Sequence, residues 1–427
     1  MHRKILNIAL PSILTNITTP LLGLIDSAIV GHLGSARFIA ATALGTTLIN
    51  MAYWGFGFLR MSTGGLAAQA YGRGDALELR TILLRSVAWA LAIALAILLL
   101  HRPVLDVALL LTSADGLVEQ SAALYFNIVV WGAPAVLIIS SVCGWFIGCQ
   151  NARVPLYVAV LQNVLNIIAS MTLVFGCGLK IEGVAWGTVI AQYVAMFYAL
   201  YFVVRRERLS YLCQAMKTLK RSTVFDRLFM VSNRDIFVRS VCVLAVTSFF
   251  TFAGAKQGDV VLAANALLMQ LFLLFSYFMD GFAYAAEARC GQFYGASNRE
   301  DYDKTIRALW VWGGVFSVLT ALVYAGGGTM IFALLTDVLT VQETALQFLP
   351  YIVLVPLFGF LAFIYDGVFI GTLQTRAMLQ TMGAATLSFF LVYWATISNL
   401  GNHGLWVAFL VYLFTRSFVA FGLSRKI

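Results

Sequence analysis

The chain has few charged residues, and this scarcity excludes a water-soluble fold. Of its 427 residues, 11% are charged and 61% are hydrophobic. Soluble domains have about 25% charged and 45–50% apolar residues. Too few polar side chains are present to cover a surface that faces water. The sequence therefore predicts a polytopic membrane protein whose solvent is the lipid bilayer.

Several patterns that carry chemistry in other proteins are missing. The six cysteines form no CxxC pair and the four histidines are scattered, so neither a metal site nor a disulfide framework is expected. No HExxH, GxSxG or P-loop signature occurs in the chain. We therefore expect no enzyme activity, no cofactor and no cycle driven by ATP.

The apolar segments do not alternate as the strands of a β-barrel would, and many are long enough for a helix to span the bilayer, which takes about 20 residues. They predict an all-α protein with twelve transmembrane helices in two six-helix lobes, residues 1–204 and 235–427, joined by a basic linker at 205–234. The predicted spans lie near residues 5–30, 36–68, 80–100, 119–147, 155–176, 183–204, 235–255, 260–288, 305–326, 344–370, 377–397 and 404–423.

Lysine and arginine predict the orientation of these spans, because cytoplasmic segments carry an excess of them. With the amino terminus inside, 21 of the 28 basic residues lie in cytoplasmic segments and four in external ones. The sequence thus predicts both termini in the cytoplasm and a location in a prokaryotic plasma membrane. The concentration of basic residues in cytoplasmic segments also explains the net charge of +9, so this charge does not indicate a nucleic-acid partner.

The two halves of the chain repeat each other at one constant offset. The matching segments are 40–44 with 263–267, the Gln-x-Tyr-Gly motifs at 69–72 and 292–295, and the Gly-x-Phe-Ile-Gly motifs at 144–148 and 367–371. Each segment of the second half follows its counterpart by 223 positions. Six spans per half place both copies in the same direction. A parallel repeat of this kind is typical of transporters that open alternately to either side.

A carboxylate inside the first apolar segment is the sharpest functional signal. Ionisable residues at membrane depth are rare and usually functional, and a carboxyl group removed from water can exchange a proton near neutral pH. Asp26 therefore predicts an ion-coupling site. Pro20, which precedes it by less than two helical turns, predicts a bend in the helix. The alternative is an Asp26 that packs against a neighbouring Ser, Asn or Arg.

Polar residues of the fifth and sixth spans fit a pocket around this aspartate. Asn163 and Asn166 are spaced to share one helix face, Ser170 continues that face, and Thr188 lies in the sixth span. A second interpretation is that these side chains form only interhelical hydrogen bonds, worth about 0.6 kcal/mol each. The sequence leaves both interpretations open.

The second half carries its own intramembrane acids, Asp280, Glu287 and Asp366. Asp280 and Asp366 are candidates for function. Glu287 is also a candidate, although it is more simply explained as a hydrated residue near the cytoplasmic end, beside Arg289 or Arg307. The arginines within spans, Arg60, Arg239 and Arg416, lie near span ends or pair with these acids.

Taken together, these residues resemble the multidrug and toxic compound extrusion (MATE) family over about residues 5–424. The resemblance rests on Pro20 and Asp26, the Gln-x-Tyr-Gly motifs and the Gly-x-Phe-Ile-Gly motifs, each of the latter followed by an arginine; Asp366 and the segment 233–236 resemble its DinF-like branch. It implies an antiporter that exports organic cations or other toxic compounds in exchange for H⁺ or Na⁺. We expect the protein to be a monomer.

One departure from the family affects the ion that is expected. The resemblance implies an Asn-x-x-x-Asp pair in the fifth helix, of which Asn166 is present while Ser170 replaces the aspartate. Since hard cations prefer carboxylate oxygens, H⁺ is favoured over Na⁺, with Asp26 or the second-lobe acids carrying the coupling. The alternative function is a two-lobed flippase for a lipid-linked substrate, which would favour a basic cleft rather than an acidic one.

Overall fold

The computed structural model describes residues 1–31, 36–110, 116–207, 210–212, 215 and 223–425. Regular structure within these ranges is helical throughout, which confirms the predicted all-α class. The helices of the first half are α1 His2–Gly31, α2 Ala36–Trp54, α3 Phe58–Arg73, α4 Ala76–Leu110, α5 Gly116–Val129, α6 Ala133–Gly148, α7 Arg153–Met171 and α8 Ile181–Arg206. Those of the second half are α9 Thr223–Ala255, α10 Asp259–Gly295, α11 Arg299–Leu335, α12 Leu339–Gly371, α13 Thr375–Leu400 and α14 Asn402–Ser424.

These helices correspond to the twelve predicted spans, but three spans of the first half are irregular. The second span divides into α2 and α3 around the Gly55-Phe56-Gly57 sequence, where the amide of Phe56 bonds to the carbonyl of Tyr53. The fourth contains a 3₁₀ turn, Val130–Gly132, and the fifth ends in a π-helical turn, Thr172–Gly176. The corresponding helices of the second half, α10, α12 and α13, are continuous.

Several helices extend well beyond the apolar runs. Helix α4 reaches from residue 76 to 110 and α11 from 299 to 335, and α9 begins at residue 223 inside the predicted linker. Glu300 and Asp301 in the first turn of α11 favour a helix start there, and the side chain of Asn298 caps this helix by accepting from the amide of Asp301. Hydropathy marks only the part of a helix that the bilayer requires.

The chain forms two compact units. The amino-terminal unit comprises residues 14–226, and the carboxy-terminal unit comprises residues 1–13 and 227–427. The first turns of α1 belong to the carboxy-terminal unit and pack closely against Gly281. A Cβ atom on Gly281 would lie 2.3 Å from Ile13 Cγ1, so this contact requires a residue without a side chain. Trp312 Nε1 also donates to His2 Nδ1 at 3.0 Å. The proposed lobe boundaries remain a prediction.

The internal repeat is visible in the backbone. Helices α2, α4 and α5 begin at the positions equivalent to the starts of α10, α11 and α12. Left-handed backbone conformations also recur at equivalent positions, in the pairs Gly74 and Ser297, Gln150 and Leu373, and Gly178 and Gly401. Three of these six residues are not glycine, so the shared turn geometry, rather than residue type, is what the two halves have in common.

The repeated glycine motifs explain how each unit packs. A Cβ on Gly144 would lie 2.3 Å from the carbonyl oxygen of Arg60, and one on Gly367 would lie 2.0 Å from that of Ala283. Gly148 and Gly371 approach the carbonyls of Gly64 and Glu287 in the same way. The contacted residues are themselves equivalent under the repeat. Each motif thus brings the fourth span of its half into backbone contact with the second span.

Candidate functional site

Asp26 lies in α1 within the amino-terminal unit, where its side chain is half-buried. Its Oδ1 is buried and has no hydrogen-bond donor among the described residues, and none of the ion pairs found there includes it. Helix α1 is helical through Pro20. The side chain of Pro20 lies outside the described residues, so the predicted bend stays a prediction.

A tyrosine and two threonines accompany this carboxylate. The Asp26 carboxylate interacts electrostatically with Tyr125 of α5, whose hydroxyl also hydrogen-bonds with Thr188 of α8. Thr46 of α2 donates to the same tyrosine hydroxyl at 3.5 Å. Tyr125 is 3% exposed. The buried hydroxyl of Tyr125 on α5 therefore interacts with polar side chains of three other helices, α1, α2 and α8.

Helix α7 extends this hydrogen-bonded group. Asn166 Nδ2 donates to Thr188 Oγ1 at 2.9 Å, and Thr188 Oγ1 donates to the carbonyl of Val184 at 3.0 Å. Tyr125, Thr188 and Asn166 are therefore linked by hydrogen bonds, and Asp26 interacts with this polar chain electrostatically, through Tyr125. Asn166 is fully buried, and its Oδ1 has no donor among the described residues.

The other two predicted residues of the fifth span occupy different surroundings. Ser170 is fully buried where α7 touches α8: a Cβ on Gly187 would lie 2.4 Å from its Oγ. Asn163 donates to the carbonyl of Thr18 at 3.0 Å, which ties α7 to α1 two turns before Asp26. Asn163 is thus an interhelical link, whereas Asn166 bonds to Thr188 and Ser170 packs against Gly187.

Unlike Asp26, Asp366 of the carboxy-terminal unit is paired with arginines. Arg239 of α9 and Arg416 of α14 both donate to Oδ2 of Asp366 in α12. The expected pairing of the intramembrane arginines with an acid is thereby found for two of them. Asp280 of α10 interacts electrostatically with the same Arg416 and with Tyr277. Asp366 is the shared counter-ion of two guanidinium groups.

Glu287 is fully buried in the same unit, so its explanation as a hydrated residue is wrong. Helix α10 continues to Gly295, two turns beyond it, and Gly371 of α12 closes on its backbone carbonyl. Arg289, its expected partner, donates to Gln292 Oε1 at 2.6 Å.

The polar groups of the two units do not follow the repeat. The residues 223 positions after Asp26, Asn166 and Ser170 are Phe249, Phe389 and Tyr393. These three form an aromatic cluster, with ring centroids 6.1 Å apart for Phe249–Phe389 and 4.8 Å for Phe249–Tyr393. The same backbone therefore carries a polar chain in one unit and packed rings in the other.

Sequence reasoning did not find Tyr125 or Thr46. Both lie in apolar helices where one hydroxyl among many hydrophobic residues gives no periodic signal. Comparison of the halves carries the only available hint, since the equivalent of Tyr125 in the second half is Phe348, which differs from it by the hydroxyl group. Among the described residues no group of three or more His, Cys, Asp and Glu side chains is arranged to hold a metal ion.

Comparison with known proteins agrees with this architecture. The MatE family profile matches residues 11–172 and 236–394, once in each half. The chain is 36% identical to the DNA damage-inducible protein F of Escherichia coli K12 over 421 residues, which cover 98% of this chain and 91% of that protein. It is 24% identical to the probable multidrug resistance protein NorM of Thermotoga maritima over 334 residues, or 76% and 70% of the two chains.

Solved structures show the same fold. A MATE protein in its bent conformation superposes with a TM-score of 0.90 at 16% identity, covering 99% of this chain and 94% of that one. An outward-facing multidrug resistance MATE transporter of the MOP superfamily gives 0.88 at 16% identity, covering 100% and 95%. With profile matches in both halves and a relative that shares its sequence over nearly the full length, the chain belongs to the MatE family of integral-membrane transporters.

Proposed function

We propose that this protein is a secondary antiporter that exports organic cations or other toxic compounds in exchange for H⁺, by alternating access, with Asp26 as the proton site. The observation that carries the proposal is the Asp26 carboxylate, which is half-buried, lacks a basic partner among the described ion pairs and interacts electrostatically with the hydroxyl of Tyr125. Several relatives are named as multidrug resistance proteins, which supports export of foreign compounds.

The surroundings of Asp26 and Asp366 favour Asp26 of these two as the proton carrier. A proton on Asp366 would leave two buried guanidinium groups without their counter-ion, and leaving a buried charge uncompensated is strongly unfavourable. A proton on Asp26 leaves no such charge behind. When neutral, Asp26 no longer attracts a cation; when ionised, it attracts one. That alternation is the minimum that exchange of a proton for a cationic substrate requires.

The polar chain supplies a way for protonation to affect other helices. An ionised carboxylate only accepts hydrogen bonds, whereas a protonated carboxyl group also donates one. The Tyr125 hydroxyl interacts electrostatically with Asp26 and hydrogen-bonds with Thr188, so neutralisation of Asp26 changes the electrostatic surroundings of this hydroxyl.

The oxygen ligands near Asp26 favour H⁺ over Na⁺. Hard cations are held by several oxygens, preferably of carboxylates. Here Ser170 stands where the family pattern has a second carboxylate, and this serine is enclosed against Gly187. The polar chain thus offers one carboxylate with neutral oxygens. We further propose a monomer in a prokaryotic plasma membrane with both termini in the cytoplasm, in line with the distribution of basic residues.

The test is transport by purified protein in proteoliposomes under separate gradients. Wild type and Asp26→Asn are compared, with Asp106→Asn as the matched control because Asp106 is exposed in the same unit. We expect a pH gradient, and not a Na⁺ gradient, to drive export of a cationic dye by wild type and Asp106→Asn. Asp26→Asn should lose at least tenfold in rate.

Two results would contradict the proposal. Export by Asp26→Asn at the wild-type rate under a pH gradient would remove Asp26 from the mechanism. Export driven by a Na⁺ gradient alone would remove the assignment of H⁺. The melting temperature of each variant, measured alongside, separates a loss of coupling from a loss of folded protein.

A further inference from the structure

A cavity at one end of the amino-terminal unit has no part in the proposed proton chemistry. It lies where α3 ends, α4 begins and α8 ends, and its volume is about 240 Å³. Its polar lining residues are Tyr71, Asp75, Arg206 and Glu207. Pockets that enclose a drug-sized molecule measure about 300–1,000 Å³. The cavity therefore suits a small polar group rather than a whole exported compound.

The cavity lies at the depth expected for lipid headgroups. The predicted spans 36–68, 80–100 and 183–204 each begin or end within a few residues of its lining, at the side that lysine and arginine predict to be cytoplasmic. On α8 the exposed apolar side chains of Phe197, Tyr201 and Val204 are spaced to share one helix face, which ends two residues before Arg206. Such a surface suits acyl chains whose headgroup enters the cavity.

Arg206 is held in place while part of its side chain stays open. Its guanidinium lies over the ring of Trp145 at 5.2 Å, and Trp145 Nε1 is fixed by donating to the carbonyl of Leu79 at 2.9 Å. Glu207, the ion-pair partner of Arg206 at 3.5 Å, also binds Arg80 at 2.5 Å. Two guanidinium groups thus share one carboxylate, which leaves one positive charge in excess. The side chain of Arg206 is 29% exposed, so this charge is open to a ligand.

Asp75 supplies a charge of the opposite sign. Its Oδ1 accepts from the amide of Glu78 at 2.9 Å and so caps α4, and its carboxylate is exposed and enters no ion pair among the described residues. The cap does not require the charge, because Asn298, 223 positions later, caps α11 through the equivalent amide of Asp301 at 3.0 Å. The negative charge of Asp75 is therefore open to a ligand as well.

We propose that this cavity binds the headgroup of phosphatidylethanolamine, with the phosphate on Arg206 and the ammonium on Asp75. Guanidinium groups bind phosphate through paired hydrogen bonds, and a primary ammonium brings three N–H donors to a carboxylate. Phosphatidylcholine has no N–H donor on its quaternary ammonium, and phosphatidylglycerol carries no cation. One open charge of each sign matches a zwitterion without net charge. The site is separate from Asp26 and does not depend on the proposed function.

The proposal is tested by competition between two lipids. Purified protein in detergent receives equal amounts of dioleoylphosphatidylethanolamine and dioleoylphosphatidylcholine, and native mass spectrometry gives the ratio of protein carrying one molecule of either lipid. We expect wild type to carry the ethanolamine lipid in about fivefold excess, which corresponds to the roughly 1 kcal/mol of a partly exposed, hydrogen-bonded ion pair.

The variants separate the two charges. Asp75→Asn keeps a good N-cap residue and removes the negative charge, so it should lose the preference for ethanolamine. Arg206→Gln should carry less of both lipids, because both have a phosphate. Arg205→Gln is the matched control for loss of a basic residue, since Arg205 is the exposed neighbour that does not line the cavity, and it should behave as wild type. Melting temperatures show whether each variant is folded.

Three results would overturn the site. These are the absence of a preference in wild type, a preference that Asp75→Asn retains, and an equal loss of bound lipid in Arg206→Gln and Arg205→Gln. Free phosphoethanolamine is added at millimolar concentration to identify the source of the headgroup. We expect the lipid to stay bound because its acyl chains contribute; its displacement would overturn the assignment to a lipid. Asp26→Asn is predicted to bind both lipids as wild type does, so a failure of the proton experiment leaves this site standing.

Discussion

Replacement of Asp366 by asparagine is the most informative perturbation of the carboxy-terminal unit. The asparagine side chain would occupy nearly the same volume but would carry no charge, so Arg239 and Arg416 would face each other without their shared counter-ion. The side chains of Asp366 and Arg416 are 9% and 5% exposed, so water can compensate little of the lost pairing. The variant therefore tests whether Asp366 acts as a charge partner or as a proton carrier.

The size of the effect follows from the burial. Removing one partner of a buried ion pair costs about 3–5 kcal/mol. Arg239→Gln should cost less, about 1.5–3 kcal/mol for a hydrogen bond to a charged group, because Arg416 and Asp366 remain paired. In a domain of about 150–250 residues, 1 kcal/mol lowers the melting temperature by about 2–4 °C. At that rate we expect Asp366→Asn to melt about 6–20 °C below wild type and Arg239→Gln to lie between the two.

The assay is thermal unfolding of detergent-solubilised protein, monitored by fluorescence and by the fraction that remains monodisperse, at constant detergent and heating rate. Asp106→Asn serves as the control for loss of an exposed carboxylate. An Asp366→Asn variant that melts within about 1 °C of wild type, less than 1 kcal/mol would produce, would refute the charge-partner role. If it also lost proton-driven export, Asp366 would be a coupling residue.

Two further sets of substitutions test packing in the amino-terminal and carboxy-terminal units. Gly144→Ala and Gly367→Ala should each destabilise the protein by about 1–3 kcal/mol or more, because the new methyl group would lie 2.3 Å and 2.0 Å from backbone carbonyl oxygens; Gly383→Ala, whose Cβ would meet no described atom within 4 Å, should be neutral or slightly stabilising. Melting temperatures equal for all three would contradict the packing role of the repeated motif. Ser170→Ala should change stability by less than about 0.5 kcal/mol, because the Ser170 hydroxyl has no partner among the described residues. Ser170→Asp should destabilise by about 3 kcal/mol or more, since it buries a carboxylate against Gly187. Equal stability of these two variants would show that the site already accommodates a second carboxylate.

The pattern of apolar segments was enough to predict the helices and their number, because each lipid-facing span must satisfy its own backbone and needs a minimum apolar length. It did not predict the breaks around Gly55-Phe56-Gly57 and Val130–Gly132. Gly55, Gly57 and Pro134 weaken the helix locally, and contacts from neighbouring helices accompany the breaks: Tyr53 donates to the carbonyl of Val129 at 3.3 Å, and Tyr193 to that of Trp131 at 2.9 Å.

The candidate site was predictable in part. Asp26, Asn166 and Thr188 were identified because polar side chains in apolar helices are rare; in the structure Asn166 and Thr188 share a hydrogen bond, and Tyr125 interacts with both Thr188 and Asp26. Asn163 satisfies the same sequence criterion, yet it bonds to the backbone of α1 instead. Helical spacing places two side chains on one face but does not say which neighbour each of them meets.

The sequence by itself determined the membrane environment, the helical class, the internal repeat and the intramembrane acids, because these depend on composition and order along the chain. Only the tertiary structure decided which acid has a partner. Asp26 and Asp366 are both single carboxylates in apolar segments, but the residues that distinguish them are distant in sequence: Arg239 lies 127 residues from Asp366 and Tyr125 lies on another helix from Asp26. A carboxylate's role depends on the charges within a few ångströms, and those neighbours are set by how helices pack.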